Sequence, residues 1–264
     1  MSSRKRFGQH FLHDHNTVRK IIESALLKGD ETVLEIGPGK GVLTRRLAAL
    51  SKRVIALELD RDLVPFLKKE CSGLSNVEIV QGDALTYDYG TIQGPFKVVA
   101  NLPYNVSTPI TLRLSEFRGD ITDMVLMFQK EVGERICAHP GQKAYGSLSI
   151  YLQYFHEVCP LFDVRRESFS PIPAVDSQVI RITPRKKTPV SVHDEELFFR
   201  IVKTSFAHRR KTIKNNLVNL SFPESFIVKV LEECGIDQAR RGETLSMEEY
   251  GGMANYIHEQ KENA

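Results

Sequence analysis

Cysteine is scarce in this chain. The four present, Cys71, Cys137, Cys159 and Cys234, include no C-x-x-C pair and no histidine at ligand spacing. That excludes a disulfide framework or a cysteine metal site as the organising element, and small buried thiols are expected instead. The eight histidines form no H-E-x-x-H or similar cluster, so no metal is expected. No window approaches the roughly 18 consecutive apolar residues of a membrane span, and no membrane partner is expected. The N-terminal stretch is basic but lacks the apolar run and small-residue cleavage site of a signal peptide, which makes a cytoplasmic location the expectation. Net charge is also small, +3. Whole-chain charge therefore says nothing about nucleic acid, and local clustering has to carry that argument. Internal repeats and low-complexity tracts are lacking as well.

What is present suffices for one sizeable core and a smaller appendage: 264 residues, 41% of them hydrophobic. Helical periodicity at 14–27 puts Val18, Ile21, Ile22, Ala25 and Leu26 on one stripe. A short apolar run, Thr32-Val33-Leu34-Glu35-Ile36, ends in Gly37-Pro38-Gly39-Lys40-Gly41. A helix over 42–50 and a strand-like run over 54–59 follow, the opening of a parallel α/β sheet. The alternation continues with a helix at 61–70, strands at 77–80 and 97–100, a helix at 108–116, a strand at 124–128 and a helix at 130–137. Strand-like runs at 148–156 and 176–183 come next, separated by a turn-rich segment. The prolines of Thr183-Pro184-Arg185-Lys186-Lys187-Thr188-Pro189 around a basic triplet read as a linker. Beyond it the pattern is helical only, at 194–219, 223–234 and 246–260. The expected division is an α/β domain over 1–187 and a small all-helical domain over 188–264.

Glycines 37, 39 and 41 follow a strand and open a helix, allowing a tight turn and close backbone approach to a ligand. Such a string alone is weak, because dinucleotide enzymes use a similar device. Three carboxylates sharpen it. Glu35 still lies on the strand. Glu58 ends the second strand, where it can accept hydrogen bonds from both ribose hydroxyls, with Leu59 beside it. Asp83, next to Ala84, follows the third strand and is placed to meet an adenine edge. Each alone reads equally well as a surface residue, but ligands bind at the carboxyl ends of strands in such sheets, and here three ends carry acids. An acid beside the glycine turn also suits a cationic, phosphate-free cofactor better than a pyrophosphate.

The fourth strand-like run ends in Asn101-Leu102-Pro103-Tyr104. An adenine N6 is a poor nucleophile because its lone pair is delocalised into the ring. A carboxamide oxygen and a backbone carbonyl accepting its two N–H bonds would localise that pair towards a methyl donor. Pro103 fixes local geometry, and Tyr104 offers a flat face for a base, a contact worth about 1–3 kcal/mol. The proton can leave after attack, so alignment replaces a strong base. The bland alternative is a turn with Asn101 capping the next helix. The segment from Phe169 to Ser177, with prolines at 171 and 173, reads as a stiff extended loop. Its Phe169 either closes the far side of a base held on Tyr104 or belongs to the core.

These strings together resemble the small-subunit ribosomal RNA adenine N6-dimethyltransferases of the bacterial KsgA type. The matching residues are Gly8-Gln9-His10-Phe11-Leu12, the string 35–41, the string 101–109 beginning Asn101-Leu102-Pro103-Tyr104, the segment 169–177, and Phe206-Ala207-His208-Arg209-Arg210-Lys211-Thr212. Five motifs in order span residues 8 to 217. The resemblance implies a Rossmann-like class I methyltransferase sheet with a final antiparallel strand and a small C-terminal all-helical domain. It implies S-adenosylmethionine as cofactor and four methyl transfers to two adjacent adenosines in the 3′-terminal hairpin loop of 16S ribosomal RNA within the small (30S) subunit, alongside a role in subunit biogenesis. Carried over, His10 and Leu12 contact the cofactor, Gly37 lies against its methionine portion, Glu58 meets the ribose, Asp83 and Ala84 meet the adenine, and Gly39 and Leu59 also belong to the cofactor site. Asn101 bridges cofactor and target, and Tyr104 and Phe169 sandwich the base. One departure is His10, where many bacterial members carry Asn. A monomer is expected.

Projected at 100° per residue, a helix over 194–219 gathers Arg200, Lys203, Arg210, Lys211 and Lys214 in one arc, opposite Leu197, Phe198, Ile201, Val202, Phe206, Ile213 and Leu217. A basic stripe of this kind is often only a solvated face. With Arg185-Lys186-Lys187 and Arg4-Lys5-Arg6 it favours a phosphate track. Arg209 projects into the apolar arc and is expected to need a buried partner. Two rival readings share the motifs: the macrolide-resistance methyltransferases of 23S ribosomal RNA, and an assembly or RNA-binding protein with an idle cofactor site. Leu102 and the 169–177 segment favour the small-subunit group over the first. The intact Gly37, Glu58, Asp83 and Asn101 argue against the second.

Overall fold

Apolar runs punctuated by glycine and polar turns become alternating strands and helices in the computed structural model, which describes residues 10–262. In chain order they are β1 (Phe11–Leu12), α1 (His15–Ser24), β2 (Thr32–Ile36), α2 (Val42–Ala48), β3 (Arg53–Glu58), α3 (Leu63–Glu70), β4 (Val77–Gln81), β5 (Phe96–Asn101), α4 (Ser107–Glu116), β6 (Ile121–Gln129) and α5 (Lys130–Cys137). Then come α6 (Ser147–Phe155), β7 (His156–Val164), β8 (Phe169–Ser170), β9 (Ser177–Pro184), α7 (Glu195–Ser205), α8 (Ile213–Leu217), α9 (Glu224–Glu233) and α10 (Met247–Glu262). The basic residues Arg4, Lys5 and Arg6, and the Gly8 and Gln9 of the first matched string, lie outside the described residues.

The main sheet runs β4-β3-β2-β5-β6-β9-β7. Its first five strands are mutually parallel, and β9 is antiparallel to both β6 and β7. The strand order reverses direction beside β2, so the crevice outside β2 and β5 is where a doubly wound sheet offers a ligand site. The central strands β2 and β3 are buried along nearly their whole length, as helices on both faces of a parallel sheet require. On one face Val33, Val54, Val99, Val125 and Val179 meet Val18, Ile21 and Ile22 of α1 and Leu43 and Leu47 of α2. Asp14 starts α1 by accepting from the backbone N–H groups of Asn16 and Thr17. Separately, β1 pairs with β8 in a short antiparallel ribbon that sets Leu12 opposite Phe169.

The described chain forms two compact units. One runs to Gly133 and resumes over His156–Pro184; the other comprises Glu134–Phe155 and the residues from Arg185 onward. The division expected after Lys187 falls close to the last crossing. The excursion over 134–155 has no counterpart in the sequence reading. In the second unit, Ile150 and Tyr154 of α6 share a core with Leu197, Phe198 and Ile201 of α7, Ile227 and Leu231 of α9, and Tyr250 and Met253 of α10.

Two element expectations are corrected. Residues 148–156 were expected to form a strand, yet Ser147–Phe155 is helical and the strand begins at His156. An apolar run without clear period fits either a buried strand or a buried helix, and here the helical core of the second unit decides. The helix expected over 194–219 ends at Ser205 and restarts at Ile213. The side chain of Asn216, fully buried, donates to the carbonyls of Ser205 (2.9 Å) and His208 (3.2 Å), while Thr212 accepts from the N–H of Asn215 and caps the new helix. A side chain thus satisfies carbonyls that a continuing helix would have used.

Candidate active site

Three glycines carry the turn from β2 into α2 in the left-handed region, with φ of 67° at Gly37, 59° at Gly39 and 73° at Gly41. That conformation strains any residue bearing a Cβ. At Gly39 space adds a second reason, since a Cβ there would lie 3.1 Å from the Phe11 ring. A Cβ on Gly37 would make only ordinary contact, 3.6 Å from Pro103 and 3.8 Å from the carbonyl oxygen of Asn101. The glycine turn therefore runs directly against the segment that ends β5.

Glu58 closes β3 and is 4% exposed. Its Oε2 accepts from the Gly39 N–H at 3.1 Å and its Oε1 from the Asp60 N–H at 2.9 Å. Burial pushes its carboxyl above the usual range, against the pull of those two donors. Glu35, on β2 and 1% exposed, has no hydrogen-bond partner for its Oε2 among the described residues. Burial pushes its carboxyl up to about 8, opposed by hydrogen bonding from Thr44 and helped by repulsion from Glu58. Two acids thus face one cleft, and one of them holds an unsatisfied oxygen.

Asn101 ends β5, in register with Met127 of β6. The Tyr104 hydroxyl lies 2.6 Å from Ser177 Oγ. Burial raises the phenol's pKa while that hydrogen bond opposes it. The His10 ring stacks on Tyr104 with centroids 5.7 Å apart and planes 26° from parallel, and its Nδ1 lies 2.7 Å from the carbonyl oxygen of Pro171.

A single cleft has walls of residues 10–12, Glu35, residues 37–40, Val42, Leu43, Glu58 and residues 101–104. Of the residues expected from sequence, the structure brings His10, Leu12, Glu35, Gly37, Gly39, Glu58, Asn101, Leu102, Pro103 and Tyr104 together there. Leu59, Asp83 and Ala84 do not line it. Next to them, the Gly82 N–H donates to the carbonyl of Glu58, and the Asp83 carboxylate accepts from the N–H of Leu85. Leu59 itself is 48% exposed.

Phe169 requires a correction. It was expected to form one wall of a base sandwich, but it is 1% exposed and packed among Leu12, Val125, Met127 and Val164. The pairing of β1 with β8 draws it into the core, and the ring that faces Tyr104 is His10. Residues that sequence reasoning passed over also line the cleft: Phe11, whose ring lies 5.1 Å from the Lys40 ammonium, and Val42 and Leu43 at the start of α2. Phe11 stood inside a matched string, the one signal that pointed to it.

The basic stripe on a single helix does not exist, because α7 ends before Arg210. Arg200, Lys203, Arg210 and Lys211 are exposed. Lys214 is paired with Glu224 at 2.8 Å. Arg209 is exposed rather than turned into the core, and it donates to the backbone carbonyl of Lys143. Cys159 is likewise exposed, not the buried thiol expected. Among the described residues no cluster of three metal-ligating side chains occurs, and no helix is long and apolar enough to cross a membrane.

Comparison with known proteins places this geometry. The family model described as ribosomal RNA adenine dimethylase matches residues 1–259. The ribosomal RNA small subunit methyltransferase A of Moorella thermoacetica is 47% identical over 96% of this chain and 92% of its own length. That of Geobacillus thermodenitrificans is 46% identical over 97% of this chain and 91% of its own. Among solved structures, a dimethyladenosine transferase from Plasmodium falciparum superposes with a TM-score of 0.83 at 28% identity, covering 96% of this chain and 98% of that one. The 23S rRNA methyltransferase ErmE gives 0.75 at 26% identity, over 94% and 99%.

Proposed function

The chain belongs to the ribosomal RNA adenine dimethylase family, and we propose that it dimethylates N6 of two adjacent adenosines in the 3′-terminal hairpin loop of 16S RNA in the small ribosomal subunit. The family makes it a methyltransferase dependent on S-adenosylmethionine, and the small-subunit target rests on relatives such as the 47% identical methyltransferase A. One observation carries the chemical reading: the glycine turn of residues 37–39 and the Asn101–Tyr104 segment line the same cleft.

The residues present fit the cofactor. Glu35 presents a buried carboxyl oxygen with no partner among the described residues, apt for an ammonium group. The left-handed glycines make the tight turn that brings the backbone of residues 37–39 into the cleft wall. S-adenosylmethionine supplies a sulfonium methyl group. Glu35 and the backbone of residues 37–39 bind the methionine end, and Glu58 keeps lone pairs for ribose hydroxyls beyond its two backbone donors. Asn101 accepts from the target amine and orients its lone pair, and Tyr104 holds the base by stacking. In this reading catalysis is mainly proximity and orientation.

Exposed Arg200, Lys203, Arg210 and Lys211 in the second unit support an assignment of that unit to RNA contact. We read the protein as acting in the cytoplasm as a monomer, without a metal. The decisive experiment compares methylation of unmodified small subunits with that of protein-free 23S RNA, reading dimethyladenosine by mass spectrometry. Product on small-subunit RNA is expected; product on 23S RNA alone would overturn the assignment.

A further inference from the structure

We propose that Ser177 is a positioning residue for the target adenine, acting through the hydroxyl of Tyr104. The inference rests on the reading of Tyr104 as the base platform.

Ser177 is fully buried and opens β9. That residue is paired on both sides, with Gln129 of β6 and with Val164 of β7, so its backbone is held by two neighbouring strands. Its hydroxyl meets the Tyr104 hydroxyl at 2.6 Å, within the range of a short O–H···O bond. Tyr104 itself stands on a different footing: it lies in the turn after β5, partly exposed, and lines the cleft. A partly exposed turn residue has less packing to fix it than a core aromatic.

The geometry says which freedom the bond removes. The phenol oxygen lies on the Cβ–Cγ axis, at the far end of the side chain. A bond there stops the ring from swinging about χ1, but leaves rotation about χ2, a soft torsion, nearly free. The stacked His10 ring, itself tied to the Pro171 carbonyl, supplies the second constraint by facing the Tyr104 plane. Together the two contacts define both the position and the tilt of the surface on which an adenine would lie. An adenine held slightly off-line still binds but reacts more slowly, because the cost falls on alignment rather than on affinity. Ser177 therefore belongs to the kcat side of the kinetics.

The test is a double-mutant cycle on the full-length protein, using unmodified small ribosomal subunits and saturating S-adenosylmethionine. Ser177→Ala and Tyr104→Phe are each expected to lower kcat about three- to tenfold, the worth of one neutral hydrogen bond, with KM for subunits and cofactor affinity by calorimetry unchanged. The double variant is expected to be no slower than either single one, because both remove the same bond. Ser177→Thr, which keeps the hydroxyl, is expected to restore the rate. Multiplicative losses in the double variant, or full activity in Ser177→Ala, would overturn the proposal. Tyr104→Ala at full rate would instead remove the platform reading and the proposal with it. Thermal melting of each variant identifies any misfolded protein, and the cycle cancels a purely structural loss at Ser177 because that loss would persist in the Tyr104→Phe background.

Discussion

The backbone N–H of Gly39 donates to Oε2 of Glu58 at 3.1 Å, so the turn after β2 and the acid that ends β3 form one hydrogen-bonded unit. Nineteen residues of sequence separate them, so a disturbance of the turn also disturbs the acid.

Gly39→Ala is the direct test of this coupling. The residue has φ of 59°, and the new Cβ would meet the Phe11 ring at 3.1 Å. A loss of about 1–2 kcal/mol of stability is expected from the left-handed conformation alone, together with weaker binding of S-adenosylmethionine. Gly119→Ala, where a Cβ meets nothing within 4 Å, should stay within about 0.5 kcal/mol of the parent. Denaturant titration of both variants makes the comparison.

Glu35 gives a dependence on pH. Its carboxyl titrates near 8 in the fold against a reference of 4.5. A raised folded pKa means the stabilising contribution is complete below about 4.5 and is lost as pH rises through about 8. Glu35→Gln should flatten that part of the melting-temperature profile. A cationic ligand favours the ionised form, so binding of S-adenosylmethionine at pH 7 should release a proton, detectable by calorimetry in buffers of different ionisation enthalpy. Uptake of a proton would contradict the assignment.

Asn101→Ala removes the carboxamide from the end of β5. Methyl transfer should fall by about a hundredfold or more, the scale of a lost alignment contact, while affinity for small subunits is retained. A fully active variant would refute the role given to Asn101.

In the second unit the cations are not equivalent. Reversing Arg210 and Lys211 together should weaken RNA binding and lower the slope of log affinity against log salt by about two. Lys214→Ala should change the slope by less than one, because Glu224 already engages that ammonium at 2.8 Å. A uniform effect at all three positions would restore the idea of one continuous stripe.

Asn216→Ala tests the break between α7 and α8. Its buried amide satisfies the carbonyls of Ser205 and His208, and losing both bonds should cost about 1–3 kcal/mol. The expected readout is a lower melting temperature of the whole chain, measured beside the exposed Asn215→Ala.

Much of the cleft was legible beforehand because its chemistry is written in short strings. A glycine that must adopt positive φ, an acid at a strand end and the Asn101–Tyr104 turn are local facts, and the rule that ligands sit at the carboxyl ends of parallel strands converts them into one place. Phe169 was misread for the opposite reason. Nothing in its own string reveals that β8 pairs with β1 and turns the ring inward. The 194–219 segment failed similarly, since a periodicity count assumes an unbroken helix and cannot see Asn216 folding back on Ser205 and His208.

By itself the sequence determined the alternation of strands and helices from β2 to β6, the glycine turn and the residues of the chemical segment, because each depends on backbone preferences and side-chain chemistry within a few residues. Only the tertiary structure decided that residues 147–155 are helical, that the basic helix breaks, that His10 rather than Phe169 faces Tyr104, and that Ser177 holds the phenol. Those outcomes depend on partners tens of residues away, and burial and hydrogen-bond satisfaction, not local propensity, select among the conformations the chain could locally adopt.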